Sequence, residues 1–424
     1  MEFLIAQQQE KSVLTNPWFI IGLGAVFYAF QFIIRVSPAV ISSELRTEFD
    51  MNATLLGTFS SIYYLTYSLA LIPLGLLLDR VGPHRVFPIC AFILSTAVAI
   101  FSFTSNFYVA CILRMLIGAS GACGFLGTIK LGTLLIKSRH FGQVVALATV
   151  SGIFGAVLGN LPMRYLFTQI GWRNGMLVLA GFGFFLTAAL YRWLQAVSVA
   201  SANAEQRQSI RKDLRLVLGN KQIWLVGIYA MLMYLPITVI GDLWGIPFIS
   251  RAYDLPKEAT AMIVSVMFIG VLLGSPAFVF ISNWQESRKV PLIVGGIAAC
   301  IANSLLVYGT GLPLWSMCIF FFAVGLFFGS KSIGFAIAVE SLPRRVSGLA
   351  TGVVNAFIMM NGVFSLPMVG WLLDYGKTHF FPPTEQYTYT LPNFVFALTI
   401  VPIGVFISIF LAFFTRETFP KTDD

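Results

Sequence analysis

The feature that most constrains this chain is a series of twelve apolar runs, which leave little polar sequence between them. A helix needs about 20 apolar residues to cross a hydrocarbon core about 30 Å thick. The strands of a membrane β-barrel would instead be about 10 residues long with alternating polarity, and that pattern is absent from the sequence. We therefore predict an all-α membrane protein with twelve transmembrane helices. We number them span one to span twelve, at residues 17–41, 54–78, 86–103, 107–135, 143–166, 174–195, 223–249, 259–281, 291–310, 315–339, 348–373 and 392–414.

The composition excludes the soluble classes of protein. Only 11% of the 424 residues are charged and 57% are hydrophobic, whereas a soluble domain has about 25% charged residues. The net charge of +9 lies between the apolar runs, which favours a membrane protein over a nucleic-acid-binding protein. The five cysteines fall inside apolar runs without a metal-ligand spacing, so we expect them to pack, and we expect no metal site and no cofactor.

The basic residues of the loops predict the orientation. With a cytoplasmic N-terminus, the cytoplasmic segments hold 17 of the 27 Lys and Arg residues, the opposite side holds 6, and 4 lie inside spans. An excess of Lys and Arg marks cytoplasmic loops, so both termini are expected in the cytoplasm of a bacterial inner membrane. The polar segment 196–222 predicts a cytoplasmic linker between two six-helix bundles, 1–195 and 223–424.

A motif at the end of span two suggests a family. The sequence GLLLDRVGPHR at residues 75–85 resembles G-x-L-x-D-R-x-G-x-R-R, the loop signature of the major facilitator superfamily. The segment 280–289 is a second copy in which Asn283 takes the place of Asp79, at an offset of 204. Other pairs, Gly118 with Gly325 and Arg35 with Asp242, are 207 residues apart. Further resemblance lies in Arg114–Gly118 and in residues 340–352, so it covers essentially the whole chain.

The resemblance implies two pseudo-symmetric six-helix bundles that carry a small molecule across the membrane by alternating access. It also implies a monomer embedded in lipid, with a small-molecule substrate and no nucleic acid. The residues expected to form a conformational latch on the cytoplasmic side are Gly75, Asp79, Arg80, Gly82, Arg85 and Arg114.

Charged side chains inside the spans indicate where a substrate would bind. A charge within the bilayer costs several kcal/mol and usually faces a cavity or a partner. The embedded charges are Arg35, Arg114, Lys130, Asp242 and Lys331. They lie in spans one, four, seven and ten, the helices that the resemblance implies line a central cavity.

We expect the substrate-binding residues on spans one, seven and ten. Gln31 and Tyr28 lie one and two turns before Arg35, and Thr238 and Tyr234 lie one and two turns before Asp242. Prolines and glycines at 236, 241, 245 and 247 interrupt span seven, as in transporter helices that form binding sites. The predicted substrate-binding set is Arg35, Gln31, Tyr28, Tyr234, Thr238, Asp242 and Lys331.

An Arg with an Asp suits an amino-acid-like zwitterion or an organic anion, with Asp242 as the proton-coupling residue of a symporter. A simpler interpretation is that Arg35 and Asp242 form only a structural or gating salt bridge. The Arg of span one also resembles the organic phosphate and anion symporters, although those have a second cation where this chain has Asp242. More loosely, the chain resembles the phagosomal transporter subfamily of intracellular bacteria, which is linked to amino-acid and nucleoside uptake.

Other functions remain open at this point. Within transport, the alternatives are an organic phosphate, sugar-acid or siderophore transporter and a drug exporter. Outside transport, the alternative is a transporter-like receptor without flux. An enzyme is not expected, because the three histidines all lie in loops and no nucleophile–histidine pair or metal-ligand cluster lies within the spans.

Overall fold

Twelve membrane-spanning segments are confirmed in the part of the chain that the structure describes. The structure is a computed structural model, and it describes residues 16–136, 141–195, 210–343, 346–384 and 388–419, without the side chains of residues 79, 141, 142, 210 and 211. The helices are Pro17–Val40, Ser42–Glu48, Ala53–Arg80, Pro83–Phe103, Phe107–Gly121, Cys123–Leu135, Phe141–Ile170, Trp172–Leu194, Ile210–Leu218, Lys221–Met233, the π-helix Ile237–Trp244, Gly245–Tyr253, Lys257–Trp284, Lys289–Tyr308, Leu314–Phe328, Lys331–Glu340, Ser347–His379, Leu391–Leu398 and Ile400–Phe414.

The all-helical architecture follows from the lipid that surrounds the spans. Lipid offers no hydrogen-bond partners, so each backbone amide inside the hydrocarbon must be satisfied within its own helix or by a neighbouring group. Spans four, seven, ten and twelve each consist of more than one helix, and the short helices Ser42–Glu48 and Ile210–Leu218 lie outside the spans.

The helices divide into two compact units. The first comprises Met1–Arg35, Thr66–Gly159 and Leu166–Gln206, and the second comprises Val36–Leu65, Asn160–Tyr165 and Arg207–Asp424. This division groups residues by their packing. The predicted bundles 1–195 and 223–424 stay a prediction, and residues 196–209 of the predicted linker lie outside the described residues.

In the first unit, small residues allow span one to be approached closely. A Cβ atom on Gly155 of span five would overlap the carbonyl oxygen of Ala29. A Cβ atom on Gly24 of span one would lie 2.9 Å from the Thr128 hydroxyl of span four. Small residues at such contacts let membrane helices gain packing energy where no hydrophobic driving force exists. Gly155 of span five therefore serves helix packing.

In the second unit, spans eight and ten meet along a glycine seam, which we define as Gly270, Gly274, Gly325 and Gly329. A Cβ atom on Gly325 would overlap the carbonyl oxygen of Met267, and one on Gly274 would overlap that of Leu326. Backbone therefore lies directly on backbone along this seam.

Spans four and ten are interrupted at equivalent places. The first helix of span four ends at Gly121 and the first helix of span ten ends at Phe328, which is 328 − 121 = 207 residues later. This is the offset that relates Gly118 to Gly325 in the sequence. The helix breaks thus follow the internal repeat.

Span seven changes its helical geometry in the middle, as its prolines and glycines predict. The α-helix ends at Met233, and a π-helix follows from Ile237 to Trp244. The amide of Gly245 donates to the carbonyl of Ile240, five residues earlier, which is the π-helical spacing. A side chain on Gly245 would overlap that same carbonyl oxygen, so glycine is required there.

We expect the substitution Gly325→Ala to destabilise the protein, because the new methyl group has no space beside the Met267 carbonyl oxygen. Overpacking costs about 1–3 kcal/mol in the free energy of unfolding. Thermal unfolding of the purified protein in detergent, followed by tryptophan fluorescence, measures this loss. The matched control is Gly352→Ala on span eleven, where a Cβ atom would meet nothing within 4 Å. Equal melting temperatures for the two variants would contradict the seam.

Candidate functional site

Arg35 of the first unit is a buried cation whose backbone is held by a second arginine. Its side chain is 3% exposed and its guanidinium carbon lies 4.8 Å from the centre of the Phe32 ring. Pro38 lacks an amide hydrogen, so it leaves the carbonyl of Ile34 without its usual helical donor. Arg114 of span four donates to Ile34 O at 3.1 Å and to Arg35 O at 3.0 Å. Arg114 therefore positions Arg35.

Two neighbours of Arg35 on span one are packed against glycines. A Cβ atom on Gly124 would lie 3.0 Å from the Tyr28 ring, and one on Gly152 would lie 2.7 Å from it. Tyr28 therefore occupies the space that these two glycines leave open. Gln31 is 1% exposed and also lies beside Gly124. The structure thus brings Tyr28 and Gln31 together on the side of span one that packs on span four.

Asp242 of the second unit lies in the π-helix and is 4% exposed. Its Oδ2 atom accepts a hydrogen bond from the hydroxyl of Tyr64 on span two, which is 1% exposed. Arg35 belongs to the first unit, so its proposed pairing with Asp242 stays a prediction. Tyr64 was not among the residues that we predicted to bind substrate.

Thr238 and Tyr234 precede Asp242 on span seven as expected. Thr238 is fully buried, and its hydroxyl has no hydrogen-bond partner within the described part of the chain. Asn361 of span eleven donates to Met231 O at 2.5 Å, where span seven leaves the α-helical conformation. These contacts fix the broken part of span seven.

Lys331 begins the second helix of span ten and lies between aromatic rings. Its ammonium is 4.4 Å from the ring centre of Phe328 and 4.8 Å from that of Tyr234. The quadrupole of an aromatic ring attracts a cation that lies over its face. The structure thus places two of the predicted residues, Lys331 and Tyr234, in contact.

A group of four charged residues joins span five to span eight in the second unit; we call it the Arg164 cluster. Arg164 donates to Glu44 at 2.8 Å and to Glu258 at 3.1 Å, and Lys257 lies 3.6 Å from Glu44. Burial alone would raise the pKa of Glu44. Hydrogen bonds from Ser43 and Arg164 and the charge of Lys257 lower it below its ordinary value of 4.5.

The N-terminus of span two is capped by a carboxylate of span eleven. Asp374 accepts hydrogen bonds from the amide and the hydroxyl of Thr54, at 2.9 and 2.6 Å, and one from Tyr389 at 2.5 Å. A carboxylate at a helix N-terminus satisfies amides that have no partner within the helix. Burial and the Asp374 carboxylate raise the pKa of Tyr389 to about 12, so it remains a hydrogen-bond donor.

The structure describes only part of the latch that we predicted in the loop after span two. Gly82 has φ of +87°, a conformation that favours glycine, and the side chains of Arg80 and Arg85 are exposed. A Cβ atom on Gly75 would meet open space, and the Asp79 side chain lies outside the described residues. The latch, which also included Arg114, stays a prediction.

The second copy of this loop is an ion-pair cluster within the second unit. Arg288 binds Glu340 at 2.8 Å and Asn283 at 2.7 Å. Glu340 thus supplies the negative charge that Asn283 lacks. Glu417 accepts hydrogen bonds from Ser287 and the amide of Arg288, and such bonds outweigh burial and hold the pKa of Glu417 at about 2.

Sequence reasoning found the embedded charges but missed their partners. Tyr64 lies 178 residues from Asp242, and Thr54 lies 320 residues from Asp374. The only available signal was a polar or acidic side chain near a helix end or inside a span. A single sequence does not tell which distant residue meets it.

The Arg164 cluster predicts a dependence of stability on pH. The lowered pKa of Glu44 means that its stabilising contribution is present above pH 4.5 and is lost as the pH falls through the folded-state pKa. We expect Glu44→Gln to reduce the free energy of unfolding by about 0.5–1 kcal/mol at neutral pH, because the side chain is partly exposed.

The measurement is the melting temperature of both proteins at neutral pH and below pH 4.5. The difference between wild type and Glu44→Gln should shrink at the lower pH. Glu286→Gln, at an exposed position, is the control and should show no difference at either pH. A difference that persists unchanged in acid would contradict the assignment.

Comparison with known proteins gives one consistent family. The model of the Major Facilitator Superfamily matches residues 20–366, more than half of the chain. The probable galactarate/D-glucarate transporter GudP of Escherichia coli (strain K12) is 23% identical over 415 residues, covering 87% of this chain and 89% of that protein. The probable L-galactonate transporter of the same organism is 23% identical over 316 residues, covering 67% of each chain.

The fold agrees with this assignment. The crystal structure of a bacterial homolog of the human lysosomal transporter Spinster aligns with a TM-score of 0.77, covering 94% of this chain and 96% of that chain. At 13% identity this likeness shows the fold alone. With twelve spans and a family match over most of its length, the chain belongs to the Major Facilitator Superfamily of membrane transporters.

Proposed function

We propose that this transporter carries a small hydroxylated carboxylate of the sugar-acid class, together with a proton. The observation that carries the proposal is the buried guanidinium of Arg35, whose backbone is fixed by Arg114 at the proline-interrupted part of span one. The relatives named above are probable transporters of galactarate, D-glucarate and L-galactonate, which supports an organic anion over an amino-acid-like zwitterion.

The chemistry of the first unit suits such an anion. A guanidinium presents paired donors that match the two oxygens of a carboxylate, and burial strengthens these bonds by excluding water. Gln31 and Tyr28 lie one and two turns along the same helix and provide an amide and a hydroxyl for the hydroxyl groups of a sugar acid.

Asp242 is the proposed proton carrier. It is buried in the π-helix of span seven, and π-helical turns are frequent at functional sites. A buried carboxylate is stable in its charged form only when a hydrogen-bond donor or a cation contacts it. Without such a partner it takes up a proton and becomes neutral. Symport of a proton with an anion also lowers the charge that crosses the membrane.

The remaining parts of the proposal concern the setting. We propose a monomer in a bacterial inner membrane, with both termini in the cytoplasm, because the Lys and Arg residues concentrate in the segments that this orientation makes cytoplasmic. In this proposal the chain acts as a transporter alone, without enzymatic activity, and alternates the access of its site between the two sides.

We expect Arg35→Ala to weaken ligand binding. Purified wild-type protein should show a higher melting temperature with galactarate, D-glucarate or L-galactonate, and the variant should bind about 10- to 100-fold more weakly because a charge-assisted hydrogen bond is lost. Arg192→Ala, at an exposed position near the end of span six, is the matched control. Unchanged ligand stabilisation in Arg35→Ala would remove Arg35 from the site.

We expect Asp242→Asn to uncouple transport from protons, because an amide cannot take up a proton at physiological pH. In proteoliposomes the variant should lose accumulation driven by a pH gradient while it keeps exchange of labelled for unlabelled substrate. The control is Asp50→Asn, an exposed residue with φ of 48°, a conformation that Asn also adopts. Accumulation that still follows the pH gradient in Asp242→Asn would rule out Asp242 as the proton carrier.

A further inference from the structure

Tyr64, which lies outside the predicted substrate-binding set, makes a hydrogen bond between two spans. It comes from span two, and its hydroxyl donates to Oδ2 of Asp242 in the π-helix of span seven. Both side chains are buried, at 1% and 4% exposure. The hydrogen bond therefore joins two spans at a point that excludes water.

The ring of Tyr64 is held by span eleven. A Cβ atom on Gly362 would overlap its Cγ, Cδ1 and Cδ2 atoms, so the ring lies flat on the backbone of that glycine. The Tyr63 ring is 5.5 Å away and nearly perpendicular, an edge-to-face contact. The position of the Tyr64 hydroxyl thus depends on how span two is seated on span eleven.

The close contact between span two and span eleven extends along both helices. A Cβ atom on Gly57 would overlap the backbone of Leu366, and one on Gly370 would overlap the backbone of Ala53. The start of span two is also capped by Asp374 of span eleven. Any shift of span two along span eleven would therefore move the Tyr64 hydroxyl relative to Asp242.

The strength of the Tyr64–Asp242 bond depends on the charge of the carboxyl group. A phenol that donates to an ionised carboxylate forms a bond about twice as strong as one between neutral groups. A buried carboxylate also loses more than a neutral acid does when its donor leaves. Ionised Asp242 therefore holds Tyr64, and a proton on Asp242 weakens that hold.

Other ionisable groups lie on the elements that surround Asp242. Lys331 of span ten lies on the ring of Tyr234, two turns before Asp242. Spans eight and eleven pack directly on the π-helix, and span two supplies two more tyrosines beside Tyr64. The ionisable residues on these elements and on the end of span seven are Tyr63, Tyr67, Asp79, Arg80, Arg251, Tyr253, Lys257, Glu258, Asp374, Tyr375, Lys377 and His379.

We propose that Tyr64 is the positioning residue through which span two responds to the protonation of Asp242. This inference rests on the proposed role of Asp242 as proton carrier. With Asp242 ionised, Tyr64 fixes span two against span seven; when a proton from the aqueous phase binds the carboxylate, Tyr64 keeps its own proton and the contact weakens. Gly362 is part of this device because it leaves room for the ring.

The first test is Tyr64→Phe, which removes the donor and keeps the ring on Gly362. Loss of a donor to the ionised form favours the protonated form, so protons bind at higher pH. We expect the pH midpoint of sugar-acid uptake into proteoliposomes to rise by about one unit, a tenfold change in proton affinity. Labelled substrate exchange should continue. Tyr108→Phe, at an exposed tyrosine of span four, should leave the midpoint unchanged.

The second test is Gly362→Ala, which removes no polar atom but displaces the ring. We expect its midpoint to move in the same direction as that of Tyr64→Phe. The matched control is Gly352→Ala on the same helix, where a Cβ atom meets nothing within 4 Å. If Gly362→Ala does not fold, Tyr64→Phe decides alone. The infrared band of the protonated carboxyl group, identified by its loss in Asp242→Asn, gives the proton affinity directly in each variant.

The outcomes separate this inference from the function that it rests on. If Asp242→Asn loses proton-driven uptake but Tyr64→Phe keeps the wild-type midpoint in both uptake and the infrared titration, the role of Tyr64 is overturned and the proposed function stands. If wild-type uptake of sugar acids ignores pH, proton coupling fails and the inference fails with it. If no sugar acid is taken up at all, the proposed substrate class is wrong, and the infrared titration of Tyr64→Phe against wild type decides the role of Tyr64.

Discussion

The structure depends on one constraint: every backbone hydrogen-bonding group inside the bilayer needs a partner within the protein. Unbroken helices meet that need by themselves, whereas an interrupted helix needs a donor from another part of the chain. At Pro38 the freed carbonyl of Ile34 is taken by Arg114, and near Pro236 the carbonyl of Met231 is taken by Asn361. The first contact lies beside the embedded charge Arg35, and the second lies on the span that carries Asp242. Helix breaks and embedded charges thus occur on the same spans.

The two units place different chemistry on a shared plan. The first unit holds a buried guanidinium, and the second holds a buried carboxyl group with a tyrosine donor. Span four of the first unit and span ten of the second are broken at the same place, at an offset of 207 residues, although the residues at the break differ. The repeat therefore constrains where the backbone can bend, while side chains at equivalent positions have taken opposite charges. Such a division suits a transporter that binds an anion with one part and a proton with another.

Much of the fold could be predicted from the sequence, because hydropathy reports directly on the solvent. The twelve spans, the interruption of span seven and the repeat all follow from apolar runs, prolines and glycines. The candidate site was predicted only in part. A charge inside a span, such as Arg35, identifies itself by its cost, but its partners come from distant segments. Tyr64 and Asp374 each look like ordinary residues of a helix until the packing of span two on span eleven is known. The neutral Asn283 showed that a charge was missing from the second loop, but not that Glu340 supplies it.

The glycine seam between spans eight and ten has a mechanical consequence. A contact made by a side chain can absorb a small displacement, because the side chain can change rotamer. At Gly274 and Gly325 no side chain is present on the contacting faces, and each helix rests on the carbonyl oxygens of the other. A shift of one helix cannot be absorbed there without parting the backbones. Spans eight and ten therefore resist sliding past each other at the seam, and we expect them to keep this contact in each conformation that the protein adopts.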